Sequence, residues 1–213
     1  MIIAIDGPAA SGKGTLAKRL AEHYRLPHLD TGLLYRAVGL KVLDRGVRFD
    51  DVPSLIALAR ELDILSLDPE ALKSGPVGEA ASRVAACTAV REVLLRAQTE
   101  FAHQPGGAVL DGRDIGTVIA PDAEVKIFVT ATPEARAQRR FKEFSERGDT
   151  VTLEDVLTDV RRRDERDSGR ATAPLVVAND AVVLDNTHLD KEQSWQRAMD
   201  IVESRLRSLS DDR

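Results

Sequence analysis

Residues 7 to 15 read Gly7-Pro8-Ala9-Ala10-Ser11-Gly12-Lys13-Gly14-Thr15, and this run carries the most specific chemistry in the chain. Glycines at these offsets let successive backbone N–H groups turn toward one anion. A helix that starts here adds its unpaired N-terminal donors and the positive end of its dipole. Lys13 then puts a point charge where the outer phosphates of a nucleotide would lie. The flanks agree: Ile2-Ile3-Ala4-Ile5-Asp6 reads as a buried strand and Leu16-Ala17-Lys18-Arg19-Leu20-Ala21 as a helix. Gly14 follows the lysine where a GTPase-type loop has Ser or Thr, and the hydroxyl comes one position later, at Thr15. Mg²⁺ keeps several waters and leans on substrate phosphates. A metal held through the nucleotide is therefore expected, with Thr15 as the one candidate protein ligand.

A second set of residues supplies cations. Arg136, Arg139 and Arg140 fall at i, i+3 and i+4, hence on one helix face. Arg161 to Arg170 hold five arginines in ten residues, and Arg163, Arg166 and Arg170 share a face if the helix persists that far. Mixed charges at helical spacing usually form a solvated, salt-bridged surface. The same run, ending in Gly169 and a Pro174 turn, also suits a mobile arm that closes over phosphates. Asp111 ends an apolar strand, Ala108-Val109-Leu110, and Gly112-Arg113-Asp114-Ile115-Gly116-Thr117 follows. Glycines around Arg113 and Asp114 let the backbone approach a ligand while two opposite charges project from the strand end; a plain ion pair within a turn is the simpler alternative.

Composition bounds the rest. With 213 residues and 43% hydrophobic content, the chain can bury a full core as one domain with embellishments. A net charge of −5 gives no general affinity for nucleic acid or membrane. Cys87 is the only cysteine, so no internal disulfide forms, which fits a reducing cytoplasm. His23, His28, His103 and His188 are scattered without metal-ligand spacing. The first apolar run is too short for a signal peptide, and no stretch approaches the roughly 20 apolar residues of a membrane span. A cytoplasmic monomer with no polymer or membrane partner is expected.

The elements that must hold these groups alternate between strand and helix. Strands are expected at Ile2–Asp6, Pro27–Asp30, Ala108–Asp111, Val125–Val129 and Ala181–Asp185, with a further short one at Ile64–Leu67. Helices are expected from Leu16, from Thr31 to about Asp44, over Pro53–Leu62 and over Val77–Phe101 with a break near Cys87. Others should start after Thr132-Pro133 and Thr152, and a last one should run from Lys191 to about Leu209 before a fraying tail. This is an α/β chain: a three-layer P-loop fold around a five-stranded parallel sheet. In such a sheet ligands bind at the carboxyl ends of the strands. The glycine loop, Asp30-Thr31 and Asp111 to Asp114 all follow strands.

At this level the sequence resembles the bacterial-type cytidylate kinases among the nucleoside monophosphate kinases, from Ile5-Asp6-Gly7-Pro8 to Leu184-Asp185. The motifs that carry the resemblance are Gly12-Lys13-Gly14-Thr15, Leu29-Asp30-Thr31-Gly32 with Tyr35-Arg36, and Asp111-Gly112-Arg113-Asp114-Ile115-Gly116-Thr117. Pro121-Asp122-Ala123 and Arg163 to Arg170 leading into Ala173-Pro174-Leu175 complete them. The resemblance implies phosphoryl transfer from ATP, with Mg²⁺, to CMP or dCMP. It implies that Lys13 and the loop from Gly7 to Thr15 hold ATP, and that Arg36, Arg113 and Arg170 grip the acceptor phosphate. It places Ser82, Arg91 and Asp114 against cytosine, Arg163 and Asp167 against the sugar, and Thr31 and Tyr35 along the acceptor site. Lys13, Arg113, Arg163 and Arg170 would carry catalysis. A core of about 1–36, 102–135 and 175–213, an acceptor segment of about 37–101 and a lid of about 139–172 follow from the same likeness. Residues 63–77 are too few for the β-rich insertion of long-insert members. The alternatives are a kinase of this fold acting on UMP, AMP or shikimate, and a nucleotide-dependent switch; the latter lacks an Asn-Lys-x-Asp guanine motif.

Overall fold

The strand signals lie where both faces of a sheet are covered. Ile2–Asp6 (β1) is buried at every position and forms the centre of the sheet. His28–Asp30 (β2), Ala108–Gly112 (β3), Val125–Thr130 (β4) and Val182–Asp185 (β5) complete an all-parallel sheet in the order β2-β3-β1-β4-β5. The computed structural model describes residues 1–63, 67–69, 71, 72 and 74–211. The strand expected at Ile64–Leu67 and the tail at Asp212 and Arg213 lie largely outside these residues; Ser210 and Asp211 still belong to the last helix.

Helices cover both faces. Lys13–Tyr24 (α1) and Lys191–Asp211 (α8) pack Leu16, Leu20, Met199 and Val202 against Ile3, Ile5, Ile127 and Leu184. On the opposite face Ile115, Ile119 and Ala102 meet Ile2, Ala4 and Leu110. Thr31–Asp44 (α2), Val52–Arg60 (α3), Gly75–Val84 (α4) and Thr88–Ala102 (α5) bury a separate cluster of Leu34, Val38, Leu55, Val84 and Leu94. Pro133–Glu146 (α6) and Leu153–Ser168 (α7) share a third, small cluster: Ala137, Phe144, Val156 and Val160. The sheet, the α2–α5 group and the α6–α7 pair thus each have their own apolar packing.

The boundaries have local causes. The Asp30 carboxylate accepts from Gly32 N–H at 2.9 Å and caps α2. Thr132 caps α6 ahead of Pro133, and Thr152 with Asp155 forms a reciprocal capping box on α7. The break between α4 and α5 lies at residues 85–87. Ile115–Ile119 is a π-helical turn, absent from any periodicity, which the Asp6 carboxylate holds by accepting from Ile115 and Gly116 N–H, both at 2.8 Å. Helix α7 stops at Ser168, so Arg170 does not share a helical face with Arg163 and Arg166. No helix among the described residues is long and apolar enough to cross a membrane.

Candidate active site

A cleft of about 410 Å³ opens at the carboxyl ends of β1, β2 and β3. Its floor is the glycine loop. Gly7 lies at φ +153°, where a Cβ would stand 2.0 Å from the Val129 carbonyl oxygen, so no side chain is tolerated there. Ala10 and Gly12 take left-handed conformations at φ 59° and 87°, which turns the loop into a concave row of backbone donors leading into α1. Asn186 ties the loop from behind: its Nδ2 donates to Ser11 O at 2.8 Å, and its Oδ1 accepts from Arg139 at 2.9 Å. Arg136 donates to Ala9 O at 3.1 Å and pairs with Asp164 of α7.

Lys13 is buried beneath the loop that it closes. It is 9% exposed, occupies the first position of α1 and donates to Pro8 O at 3.2 Å. Burial, and then the Arg113 cation, hold its ammonium pKa down to about 8. Asp111 lies within 3.6 Å of where a Gly14 side chain would begin, and its Oδ1 lies 2.8 Å from His28 Nε2. Burial, followed by the neighbouring Asp111, raises the Asp30 carboxyl above its ordinary value. Thr15 is exposed at the mouth of the cleft. These oxygens are hard donors of the kind Mg²⁺ takes.

The far end of the cleft lies against α2, α4 and α5. Arg91 Nη2 pairs with Asp114 Oδ2, with both residues under 8% exposed. Arg113 turns away from its sequence neighbour and donates from Nε to Asp167 Oδ2 at 2.8 Å, so the two charges have separate partners and the alternative of a plain Arg113–Asp114 ion pair does not hold. Burial opposes both guanidinium charges, yet Tyr35 and Asp114 lift Arg91 and Asp167 lifts Arg113 above the ordinary arginine value. Tyr35 forms a wall of this pocket, with Arg91 5.5 Å from its ring centre. Burial raises its phenol pKa, against the pull of Arg91. Thr31 is 3% exposed and gives its hydroxyl proton to Asp111 O at 2.9 Å. Ser82 Oγ accepts from Arg166 Nη1 at 2.7 Å. Arg91 is therefore no solvent-facing residue, as a plain amphipathic helix would have made it.

Between these ends four arginines converge whose hydrogen-bonding capacity is only partly used. Arg36 is half-buried, and its Nη1 donates to Leu72 O at 2.9 Å. Gly78 makes room for the group: a Cβ there would lie 2.7 Å from Arg163 Nη2 and 3.3 Å from Arg36 Nη1. Burial first, then Arg140 and Arg163, push Arg36 down to about 10. Burial likewise lowers Arg140, Arg163 and Arg170. Among the described residues, Arg140 Nε, Arg163 Nε and Arg170 Nη2 are buried without a hydrogen-bond partner; carboxylate oxygens stand at 3.5 Å from Arg163 and 3.8 Å from Arg170. Buried cations with donors to spare need a multiply charged anion with several acceptor oxygens. A phosphate group meets that need.

A wider depression of about 710 Å³ on the outer side of α4, lined by Arg48, Phe49, Asp50, Arg83, Ala86 and Arg166, differs in this respect. Its arginines are already engaged: Arg48 with Asp50, Arg83 over Phe49 and Arg166 with Glu79. The narrower cleft is the candidate site. It gathers Lys13, Thr31, Tyr35, Arg36, Ser82, Arg91, Arg113, Asp114, Arg163, Asp167 and Arg170 around one space.

Residues 3–204 match the family described as "Cytidylate kinase". The chain belongs to the cytidylate kinase family. It is 63% identical over 205 residues to the cytidylate kinase of Xanthobacter autotrophicus, covering 96% of this chain and 98% of that one. It is 61% identical over 203 residues to that of Azorhizobium caulinodans, covering 95% and 98%. An uncharacterized protein from Eubacterium ventriosum shares the fold, with a TM-score of 0.56 at 16% identity over 96% of this chain and 98% of that one. Several residues around the site were passed over by sequence reasoning. Asn186 is neutral and carries no motif, Asp164 and Glu79 act across long separations, and Arg140 had been given only a shared face. Arg140 alone left a signal, through its spacing from Arg136.

Proposed function

We propose that this protein transfers the γ-phosphoryl group of ATP to CMP or dCMP, giving ADP and CDP or dCDP. The observation that carries the reading is the group of arginines with unused buried donors, set between the glycine loop and the Arg91–Asp114 pair. In this reading the loop amides and Lys13 hold the β- and γ-phosphates of ATP. Arg36, Arg113, Arg163 and Arg170 hold the acceptor phosphate in line with the γ-phosphorus. Thr31 and Tyr35 line the acceptor nucleotide, and Arg163 with Asp167 faces its sugar. Cytosine offers an amino donor beside ring and carbonyl acceptors, which a carboxylate and a guanidinium complement; Asp114, Arg91 and Ser82 take that edge. The acceptor is already an anion, so positioning and charge neutralisation supply the chemistry and no strong base is required. Asp111 and Thr15 are the side chains that would stand nearest a Mg²⁺ carried by ATP, which would add further neutralisation of phosphate charge.

The segmentation supports a moving part. The α6–α7 pair has its own small apolar core and meets α4 and β3 through polar bridges, Arg166–Glu79 and Arg113–Asp167. We take about 139–172 as a lid, about 37–101 as the acceptor segment and the remainder as the core. Closure brings Arg163 and Arg170 over the phosphates and excludes water, which limits hydrolysis of ATP. A coupled assay with ATP, Mg²⁺ and each nucleoside monophosphate tests the function. CMP and dCMP should be the best acceptors; AMP as the best acceptor would overturn the assignment.

A further inference from the structure

Arg166 stands outside every role assigned above. It lines the outer depression and not the cleft, yet its Nη1 donates to Ser82 Oγ at 2.7 Å, and Ser82 lines the cleft beside Arg91 and Asp114. The rest of its guanidinium is held by Glu79: Nη1 reaches Oε2 at 3.3 Å and Nη2 reaches Oε1 at 2.9 Å. Arg162 steadies the same carboxylate from 3.3 Å. Glu79 and Ser82 lie three residues apart on α4, while Arg162 and Arg166 lie four apart on α7, so two helices meet through one polar bridge.

A serine hydroxyl has one rotatable proton and two lone pairs. Once a guanidinium N–H occupies one lone pair, the O–H proton cannot face that donor. The oxygen is fixed and its remaining hydrogen-bonding capacity is directed away from Arg166, toward the cleft. Partly exposed ion pairs of this kind add little stability, so the bridge serves orientation more than it holds the fold together.

We infer that Arg166 is a positioning residue for acceptor recognition: it orients Ser82 toward the pyrimidine edge, and does so only while α7 is packed against α4. Base recognition and docking of the α6–α7 pair are then a single event, although Arg166 touches no substrate. The inference rests on the cytidylate-acceptor reading and adds to it a residue that acts through another.

The test is a double-variant cycle read by steady-state kinetics with CMP and UMP, on the wild type, Arg166→Gln, Ser82→Ala and the combination. Arg166→Gln should raise KM for CMP about tenfold with kcat held within about twofold, the size of one hydrogen bond to a charged group. The preference for CMP over UMP should shrink with it. In the Ser82→Ala background the same change should have an effect of no more than about twofold, since the residue through which it acts is gone. An unchanged KM, or effects that multiply in the combined variant, would overturn the inference, as would equal losses for both acceptors tracking a lowered Tm. If Arg166→Gln does not fold, Glu79→Gln takes its place. It should raise KM for CMP about threefold, again only when Ser82 is present, and no change would be a refutation. A wild type that phosphorylates AMP in preference to CMP would defeat the acceptor assignment itself. A wild type that uses CMP beside unresponsive variants would defeat only the role of Arg166.

Discussion

Arg91 and Arg113 each pair with a buried carboxylate, whereas Arg36 and Arg163 meet at Gly78, with the Arg140 cation also acting on Arg36. Both groups line one cleft and are built from the same residue type. In the first, Tyr35 and Asp114 keep Arg91 above the ordinary arginine range and Asp167 does the same for Arg113, so their charges are compensated before any ligand arrives. In the second, burial lowers all three, and at Arg36 the Arg140 and Arg163 cations add to it and bring the value to about 10. The paired arginines are suited to fixing the shape of a recognition surface. The unmatched ones hold their charge at a cost to the fold and release it when an anion binds, a cost tolerated where function requires it.

The largest expected effect lies outside both groups and sets the scale for them. Lys13 is also a cation without a carboxylate partner, and Lys13→Ala should lower kcat by roughly 10²–10³-fold, as loss of one well-placed electrostatic group does. Steady-state kinetics beside a thermal melt checks this, and near-native turnover would show that the loop is not the donor site. Next comes the unmatched group. Arg163→Met keeps much of the side-chain volume and removes a charge that is poorly compensated. It should reduce kcat/KM for CMP by roughly 10²-fold while Tm holds or rises, because charge-assisted contacts to an anion are lost but a desolvated cation is too. A clear drop in Tm would mean that Asp159, 3.5 Å from Arg163, compensates it after all, and the contrast would fail.

Asp114→Asn should behave in the opposite way. Breaking a buried pair leaves Arg91 uncompensated, so stability should fall by about 3 kcal/mol in chemical denaturation. The advantage of CMP over UMP should narrow by roughly tenfold, the worth of one unmatched polar contact. Full stability after this change would place Arg91 among the unmatched arginines. The smallest effect is read from pH. Burial and Arg113 lower Lys13 from the ordinary 10.5 to about 8, so folding disfavours its charged form. That penalty is present below pH 8 and is relieved as pH rises from about 8 toward 10.5, a gain in stability. Activity moves the other way: kcat/KM for ATP should fall about tenfold per pH unit above 8 as the ammonium is lost, since the free enzyme governs that parameter. Lys13→Arg should shift this limb upward whatever its absolute rate; a limb that stays in place belongs to another group.

Much of the architecture was legible from local pattern. The apolar runs of β1, β3 and β4, the cap at Asp30 and the Thr132-Pro133 start each act within a few residues, and the parallel sheet follows from their alternation with helices. What escaped notice depends on distance. Asp6 organises the π-helical turn at Ile115 and Gly116 across more than a hundred residues, and nothing near Ile115 announces it. Adjacent Arg113 and Asp114 suggest a pair, but the strand end points them to Asp167 and Arg91. The end of α7 was written more plainly: Ser168 turns its hydroxyl back onto Asp164 O, and Gly169 closes the helix before Arg170.

The tie between Asn186 and Ser11 spans 175 residues, and β1 finds its neighbours only at β3 and β4. A ribosome delivers the nucleotide loop 175 residues ahead of its anchor. Until Asn186 has been made, the loop lacks the side chain that ties Ser11 from behind. A prematurely ended chain lacking Asn186 would carry the phosphate-binding motif without the backing that holds it in place. Long-range closure of this kind slows folding, but it also gives a safeguard: the motif gains its working shape only when the strand and turn that brace it have been made.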